Sequence, residues 1–174
     1  FTVTGTGTND TMTLVLDSGV DFLGTTGNAD TFTGIETLNI QTRSTPNAGT
    51  VNVFADATTM TATASTETMN ISGKTAITFT GVVTADVING SGLVGSSAVL
   101  TLTGGTASAA VITGGEAADL LLGSSAADII SGGGGADIIT TSGGTDTLIG
   151  GAGADNFILA AAAHVGNVIT DFTA

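Results

Sequence analysis

The sequence predicts an all-β protein wound as a parallel β-roll or β-helix solenoid. Three observations predict it. Thr alternates with apolar residues in many places, among them Thr11-Met12-Thr13-Leu14, Thr61-Ala62-Thr63-Ala64 and Leu100-Thr101-Leu102-Thr103. Period two with β-branched residues reads as strand. The strong helix formers Lys, Arg, Glu and Gln are nearly absent. Finally, a short unit with an Asp at a fixed place recurs in the C-terminal part, and fixed-period self-similarity is the mark of a solenoid.

That unit is nine residues long. From Gly114 the chain divides into GGEAADLLL, GSSAADIIS, GGGGADIIT, TSGGTDTLI and GGAGADNFI. The sixth place is always Asp: Asp119, Asp128, Asp137, Asp146 and Asp155. The eighth is always large and apolar: Leu121, Ile130, Ile139, Leu148 and Phe157. Such a unit suits a Gly-rich turn followed by a short strand, and two units make one coil. Odd and even units then fall on opposite edges, so Asp119, Asp137 and Asp155 line one edge and Asp128 and Asp146 the other. Stacked coils lie about 4.8 Å apart. Bare carboxylates at that spacing repel by about 1 kcal/mol in water and more in a protein; a divalent cation between each pair reverses the sign. Oxygen ligands without Cys favour calcium over zinc. Calcium takes six to eight oxygens, so carbonyls of the turns must join the carboxylates. Gly lets a turn take positive φ and bring its carbonyls inward, which makes Gly132, Gly133, Gly135, Gly150, Gly151 and Gly153 the candidate carbonyl donors. The complete pairs are Asp119/Asp137, Asp137/Asp155 and Asp128/Asp146, an expectation of about three sites. A metal-free β-helix with its Asp ladder serving turn geometry is the competing reading.

The units resemble the G-G-x-G-x-D-x-U-x nonapeptides of repeats-in-toxin (RTX) proteins. The resemblance covers 114–158, and units 132–140 and 150–158 fit best. Ala117 and Ala126 replace Gly at the fourth place of units one and two, and Thr141 replaces Gly at the first place of unit four. The resemblance implies a calcium-bound parallel β-roll. The tail Asn167-Val168-Ile169-Thr170-Asp171-Phe172 resembles the segment that often follows such repeats.

The pattern returns more faintly at the start. Gly5-Thr6-Gly7-Thr8-Asn9-Asp10-Thr11-Met12 has a turn, an Asp and an apolar place. Asp21 precedes Phe22-Leu23, and Asp30 follows nine residues later. Asp10, Asp21 and Asp30 are second-rank ligand candidates, with a solvated turn Asp as the alternative for each. Asp86 looks like an isolated rung. Ala110 fits the phase but replaces the Asp, so that rung should lack a metal. Between these, stretches 35–40, 51–54, 58–64, 69–72, 76–80 and 99–103 read as strands, and 42–49, with Pro46, as a turn or domain edge. The expected organisation is therefore a Thr/Ala-rich solenoid-like segment, 1–104, with degenerate repeats, followed by an RTX-like roll and terminal segment, 105–174. Gly34-Ile35-Glu36-Thr37-Leu38-Asn39-Ile40 resembles strand segments of RTX-type surface-layer (S-layer) proteins, which are similarly rich in Thr and Ala, acidic, Cys-free and poor in Lys.

Composition narrows the function. Fifteen acids face only Arg43 and Lys74, for a net charge of −13 over 174 residues. That argues against a nucleic-acid partner and a polybasic membrane contact, and for cation binding or solubility. No apolar run is long enough to span a membrane. There is no Cys, which fits a chain exported unfolded. The first residue is Phe1, as expected of a processed chain or a piece of a longer one. His164 is the only His, so no H-E-x-x-H or three-His zinc site can be built, no Ser-His-Asp arrangement has support, and no enzyme is expected. If place eight points inward, then Leu120, Leu122, Ile129, Ile138, Ile149 and Ile158 point outward, as a contact surface for other copies or against the chain's own remainder. The expected function is that of an extracellular structural protein, a subunit of an S-layer or other bacterial cell-surface array. Calcium would stiffen it, and it would self-assemble into a homo-oligomer or lattice, with a cell-surface anchor as a further partner. The alternatives are the calcium-binding C-terminal module of a secreted enzyme and an adhesin segment. The resemblance implies type I secretion for all three.

Overall fold

The computed structural model describes residues 2–4, 6, 10–17, 21–22, 31–33, 35–43, 51–53, 59–61, 67–79, 83–103, 106, 108–159 and 166–172. Within them the chain is a parallel β-solenoid, and no helix is described. Each coil places successive strands on different faces, and each face stacks in parallel with its counterparts in the coils before and after.

The largest face is an eight-stranded sheet in which β2 (Thr11–Asp17), β5 (Thr37–Arg43), β8 (Thr68–Gly73), β10 (Val87–Leu93), β12 (Val111–Thr113), β14 (Ile129–Gly134), β16 (Thr147–Ala152) and β18 (Val168–Ile169) follow one another. A seven-stranded sheet runs through β3 (Asp21–Phe22), β6 (Val51–Val53), β9 (Ile77–Phe79), β11 (Leu100–Leu102), β13 (Leu120–Leu122), β15 (Ile138–Thr141) and β17 (Asn156–Leu159). A third sheet exists only in the first coils: β1 (Thr2–Thr4), β4 (Thr31–Thr33) and β7 (Thr59–Thr61). Further along, a single bridge pairs Val83 with Thr106 between coils. From β10 to β17 the chain makes about four two-faced turns. Both large sheets continue across position 104, where β10 pairs with β12 and β11 with β13.

The coils differ in length along the axis, and the shortest lie in the repeat region. Thr11, Thr37, Thr68, Val87, Val111, Ile129, Thr147 and Val168 share one register column. Hydrogen bonds between neighbouring coils of this sheet measure the steps. From Thr13 to Asn39, Asn70 and Asn89 the chain advances by 26, 31 and 19 residues. From Ala110 to Asp128, Asp146 and Asn167 it advances by 18, 18 and 21 residues. Only the steps of 18 residues have the length expected from paired nonapeptides.

Alternation decides what faces in. Along β10 and β12 the buried residues are Ile88 and Ile112, and along the repeats they are place eight: Leu121, Ile130, Ile139 and Leu148, each fully buried. They join Leu38, Ile40, Met69, Ile71, Ile77, Phe79, Leu93, Leu100 and Leu102 in one continuous core that crosses both halves of the chain. Phe157 and Ile169 pack against it at one end, Met12 and Leu14 at the other. Ile129, Ile138 and Ile158 point outward and are exposed, while Leu120, Leu122 and Ile149 are half-buried.

Candidate metal centre

Each repeat Asp sits where a turn enters a strand, so the strand register stacks the carboxylates. Leu120, Ile138 and Asn156 pair across β13, β15 and β17, which puts Asp119, Asp137 and Asp155 in one column. Ile129, Thr147 and Val168 pair across β14, β16 and β18, which puts Asp128 and Asp146 in a second column, followed by Asn167. Asp119, Asp128, Asp137 and Asp146 are buried, while Asp155 in the last repeat is half-buried.

The carboxylates are not bare. One oxygen of each accepts a main-chain N–H from the coil before. Leu100 donates to Asp119 Oδ1 at 2.7 Å, Asp119 to Asp137 at 2.7 Å and Asp137 to Asp155 at 3.0 Å. In the second column Ala110 donates to Asp128 at 2.8 Å and Asp128 to Asp146 at 2.9 Å. In Asp119 and Asp128 the other oxygen turns back into its own turn. Gly115 N–H reaches Asp119 Oδ2 at 2.6 Å, and Ser124 N–H reaches Asp128 Oδ2 at 2.7 Å. Such bonds hold buried carboxylates in place, and the repulsion expected between naked charges is correspondingly reduced.

The two edges differ in what lies beside the carboxylates. On the first edge three turns stack with glycine at the first and second places: Gly114 and Gly115, Gly132 and Gly133, Gly150 and Gly151. Gly133 and Gly151 hold φ of 100° and 96°, and Gly135 and Gly153 hold 118° and 141°, a region that side chains other than glycine rarely enter. Gly132 is constrained by space: a Cβ there would strike Asp137 Oδ2 and lie 2.6 Å from the Gly150 carbonyl oxygen. Asp137 Oδ2 is buried and has no hydrogen-bond partner. On the second edge Ser124 Oγ also contacts Asp128, 3.1 Å from Oδ2, so a hydroxyl closes that carboxylate.

Charge follows burial. Burial pushes the Asp119 carboxyl up to about 6; the Gly115 and Leu100 amides offset part of this, and the Asp137 charge adds to it. Asp137 is raised for the same first reason, opposed by the Asp119 amide and reinforced by Asp155. A buried carboxylate with a raised pKa and an unpaired oxygen, flanked by a carbonyl, is a place where a hard cation lowers the energy. The donor set is all oxygen, which suits calcium. Among the described residues no three His, Cys, Asp or Glu side chains converge. Carboxylates alone therefore do not complete six or more ligands, and turn carbonyls must supply the remainder.

The weaker candidates separate. Asp10 does stand in the second column, since Thr11 heads the register of the eight-stranded sheet. Asp21 lies in β3 opposite Asn52. That register column continues through Thr78, Thr101 and Leu120, one place beyond the column of Asp119. Asp30 and His164 lie outside the described residues. The sequence reading missed Glu36 and Glu67, which are buried and precede β5 and β8 in the column of Asp10, Asp86 and Asp128. Glu36 Oε2 accepts the Asp10 N–H at 2.6 Å, and Asp86 Oδ2 accepts the Glu67 N–H at 3.2 Å. Their signal was present: Asp10-Thr11-Met12-Thr13, Glu36-Thr37-Leu38-Asn39, Glu67-Thr68-Met69-Asn70 and Asp86-Val87-Ile88-Asn89 share one pattern. Unequal spacing hid it from a fixed-period search. Asn167 was missed as the residue that follows Asp146 in the column, where its Oδ1 accepts the Asp146 N–H at 2.8 Å. Asp171 was missed as the acceptor of the Gly150 and Gly151 amides at 2.9 and 2.6 Å, which hold its carboxyl below the usual range.

Three overlapping stretches, 104–139, 113–148 and 122–157, match the family model described as RTX calcium-binding nonapeptide repeat (4 copies). The repeat region is thus of the RTX type, and repeats of that type bind calcium. No curated protein and no solved structure matches the chain.

Proposed function

We propose that this chain is a non-enzymatic, extracellular structural protein, a segment of an S-layer or related cell-surface array, stiffened by calcium and assembling with copies of itself. The calcium-binding repeats support a structural or secreted-protein module. The observation that carries the reading to particular residues is the glycine-lined edge of Asp119, Asp137 and Asp155, with the orphaned oxygen of Asp137 at its centre. Asp119/Asp137 and Asp137/Asp155 would hold calcium with carbonyls of Gly132, Gly133, Gly135, Gly150, Gly151 and Gly153. Asp128/Asp146 is a poorer third pair, because its turns carry fewer glycines and Ser124 engages Asp128. Bound calcium supplies positive charge that draws these oxygens together, and its binding free energy adds to that of folding. Extracellular modules of this kind work at about 0.1–1 mM calcium, so the chain stays loose inside a cell and orders outside it. Exposed Ile129, Val111 and Val168 on one face, and Ile138 and Ile158 on the other, offer apolar area for contacts between copies.

The test is calcium titration of the purified chain, followed by circular dichroism and light scattering on one sample. A calcium-dependent rise in β signal, lost in Asp137→Ala, is expected, with scattering rising alongside. A rise in β signal with flat scattering points instead to the calcium-binding module of a secreted enzyme or to an adhesin segment. A chain equally folded in chelator, with no metal by elemental analysis, overturns the calcium reading.

A further inference from the structure

We infer that an acid standing before a strand serves as a one-way register key: it fixes the coil on its N-terminal side, including coils that lack the paired glycines of the repeats. Eight side-chain-to-main-chain bonds carry the inference. The N–H groups of Asp10, Glu67, Ala110, Asp128 and Asp146 donate to Glu36, Asp86, Asp128, Asp146 and Asn167 on one edge. Those of Leu100, Asp119 and Asp137 donate to Asp119, Asp137 and Asp155 on the other. Every one of these eight runs the same way, with the side-chain oxygen always in the later coil. The bond from Gly95 N–H to Glu116 Oε2, at 2.7 Å, has the same sense.

The physical reason is the turn. A main-chain N–H at the corner between two faces points along the axis but lies outside the strand ladder, so a buried one needs another acceptor. The following coil presents a carboxylate at that corner, and a bond to a charged acceptor is among the stronger kinds. In the repeats that carboxylate also faces glycine carbonyls. Glu36 and Asp86 lack the paired glycines that stand five and four residues ahead of Asp119, Asp137 and Asp155, and the amide bond is the role left. Glu36 and Asp86 are therefore positioning residues of calcium-free coils. Ala110, which has no side-chain acceptor oxygen, divides the column into two runs of keys.

This inference rests on the calcium reading only for the later coils, and its test separates the two. Hydrogen exchange is measured on the full chain with and without calcium, for Glu36→Ala and Asp86→Ala. Asp86→Ala should speed exchange at Glu67 and in β8 by about tenfold to a hundredfold, the effect of losing a bond to a charged group, and leave β12 unchanged. Glu36→Ala should do the same to Asp10 and β2 and spare β8. Calcium bound per chain, by elemental analysis, should not change. Equal loss on both sides of the substituted coil overturns the inference, as does loss on neither side. A fall in bound calcium overturns it too, because the acids would then be ligands. Should Asp86→Ala unfold the whole chain, Asp86→Asn keeps an acceptor oxygen and should restore protection of β8; failure to restore it overturns the inference. A wild-type chain that binds no calcium would remove the calcium reading and leave the asymmetry to be read in chelator.

Discussion

The coils before and after β10 use the same corner bond and different turns. In the earlier part, steps of 26 and 19 residues bring Glu36 and Asp86 to the corner. They do so through a strand pattern of acid, Thr or Val, large apolar residue and Asn. In the later part, steps of 18 residues bring Asp128, Asp137 and Asp146 there through turns that carry glycine. On the reading proposed above, the carboxylate alone would not mark a calcium site in this protein. What distinguishes the later coils is the glycine beside it, which makes room for the carboxylate and brings carbonyls to the same point.

The comparison is broken most severely at Asp137. Asp137→Ala removes the shared member of two pairs and strips the Asp119 amide of its acceptor. It should abolish the calcium-dependent gain in stability on the glycine edge and cost about 1–3 kcal/mol further for the stranded amide, read by thermal melts with and without calcium. A smaller effect is expected at Gly135, whose φ is 118° and whose Cβ would press on the Ala117 carbonyl. Gly135→Ala should cost about 1–3 kcal/mol, and a melt unchanged from wild type would show that the turn has another conformation.

Acidity gives a test in which calcium should cancel a slope. The Asp119 carboxyl is raised to about 6 in the folded chain against an ordinary 3.8. The metal-free fold thus binds this proton more tightly than the unfolded chain does. Its contribution is fully present below about pH 3.8 and is lost as pH rises through about 6. Calcium requires the deprotonated form, so saturating calcium should remove this dependence and leave the contribution of Asp119 level as pH rises through about 6. Melts between pH 4 and 8 should show stability falling with rising pH in chelator and a levelled slope in saturating calcium, and parallel slopes would remove the link between Asp119 and the metal. The smallest effect belongs to Asp171, which is exposed. Its lowered pKa stabilises the fold above the ordinary carboxylate range, and this contribution is lost as pH falls through the folded value. Asp171→Asn should lower the melting temperature slightly and leave calcium binding intact.

Much of the fold was legible in the sequence because the physics was local. Strict alternation at Leu121, Ile130, Ile139 and Leu148 set the inner face, and five Asp at a nine-residue interval set the edges. The expected strand stretches at 35–40, 51–54, 69–72, 76–80 and 99–103 coincide with β5, β6, β8, β9 and β11 to within a few residues. The third sheet as a whole was not legible: the strand expected at 58–64 contains β7, but β1 and β4 were not expected, and little beyond a Thr-x-Thr pattern identifies them. The placement of Asp21 shows the limit of a periodic search. The apolar pair Phe22-Leu23 after it selected it, but a coil there has no nine-residue half, and the register sets it beside the column. Glu36 and Glu67 were passed over because the search looked for Asp after glycine, whereas a buried Glu reaches the same amide with one more methylene.

The unequal coils under a constant register have a consequence for how such a chain can change. A coil adds about 4.8 Å of height whatever its perimeter, and the corner acid aligns it independently of the residues between corners. The step between coils can then lengthen, as it does to 31 residues from Asn39 to Asn70, while the register of the strands is kept. Long insertions at a surface cost little loop-closure entropy. The earlier coils are thus a frame on which new surface can be hung one coil at a time, while the later coils, wound as tightly as two nonapeptides allow, have no slack to give.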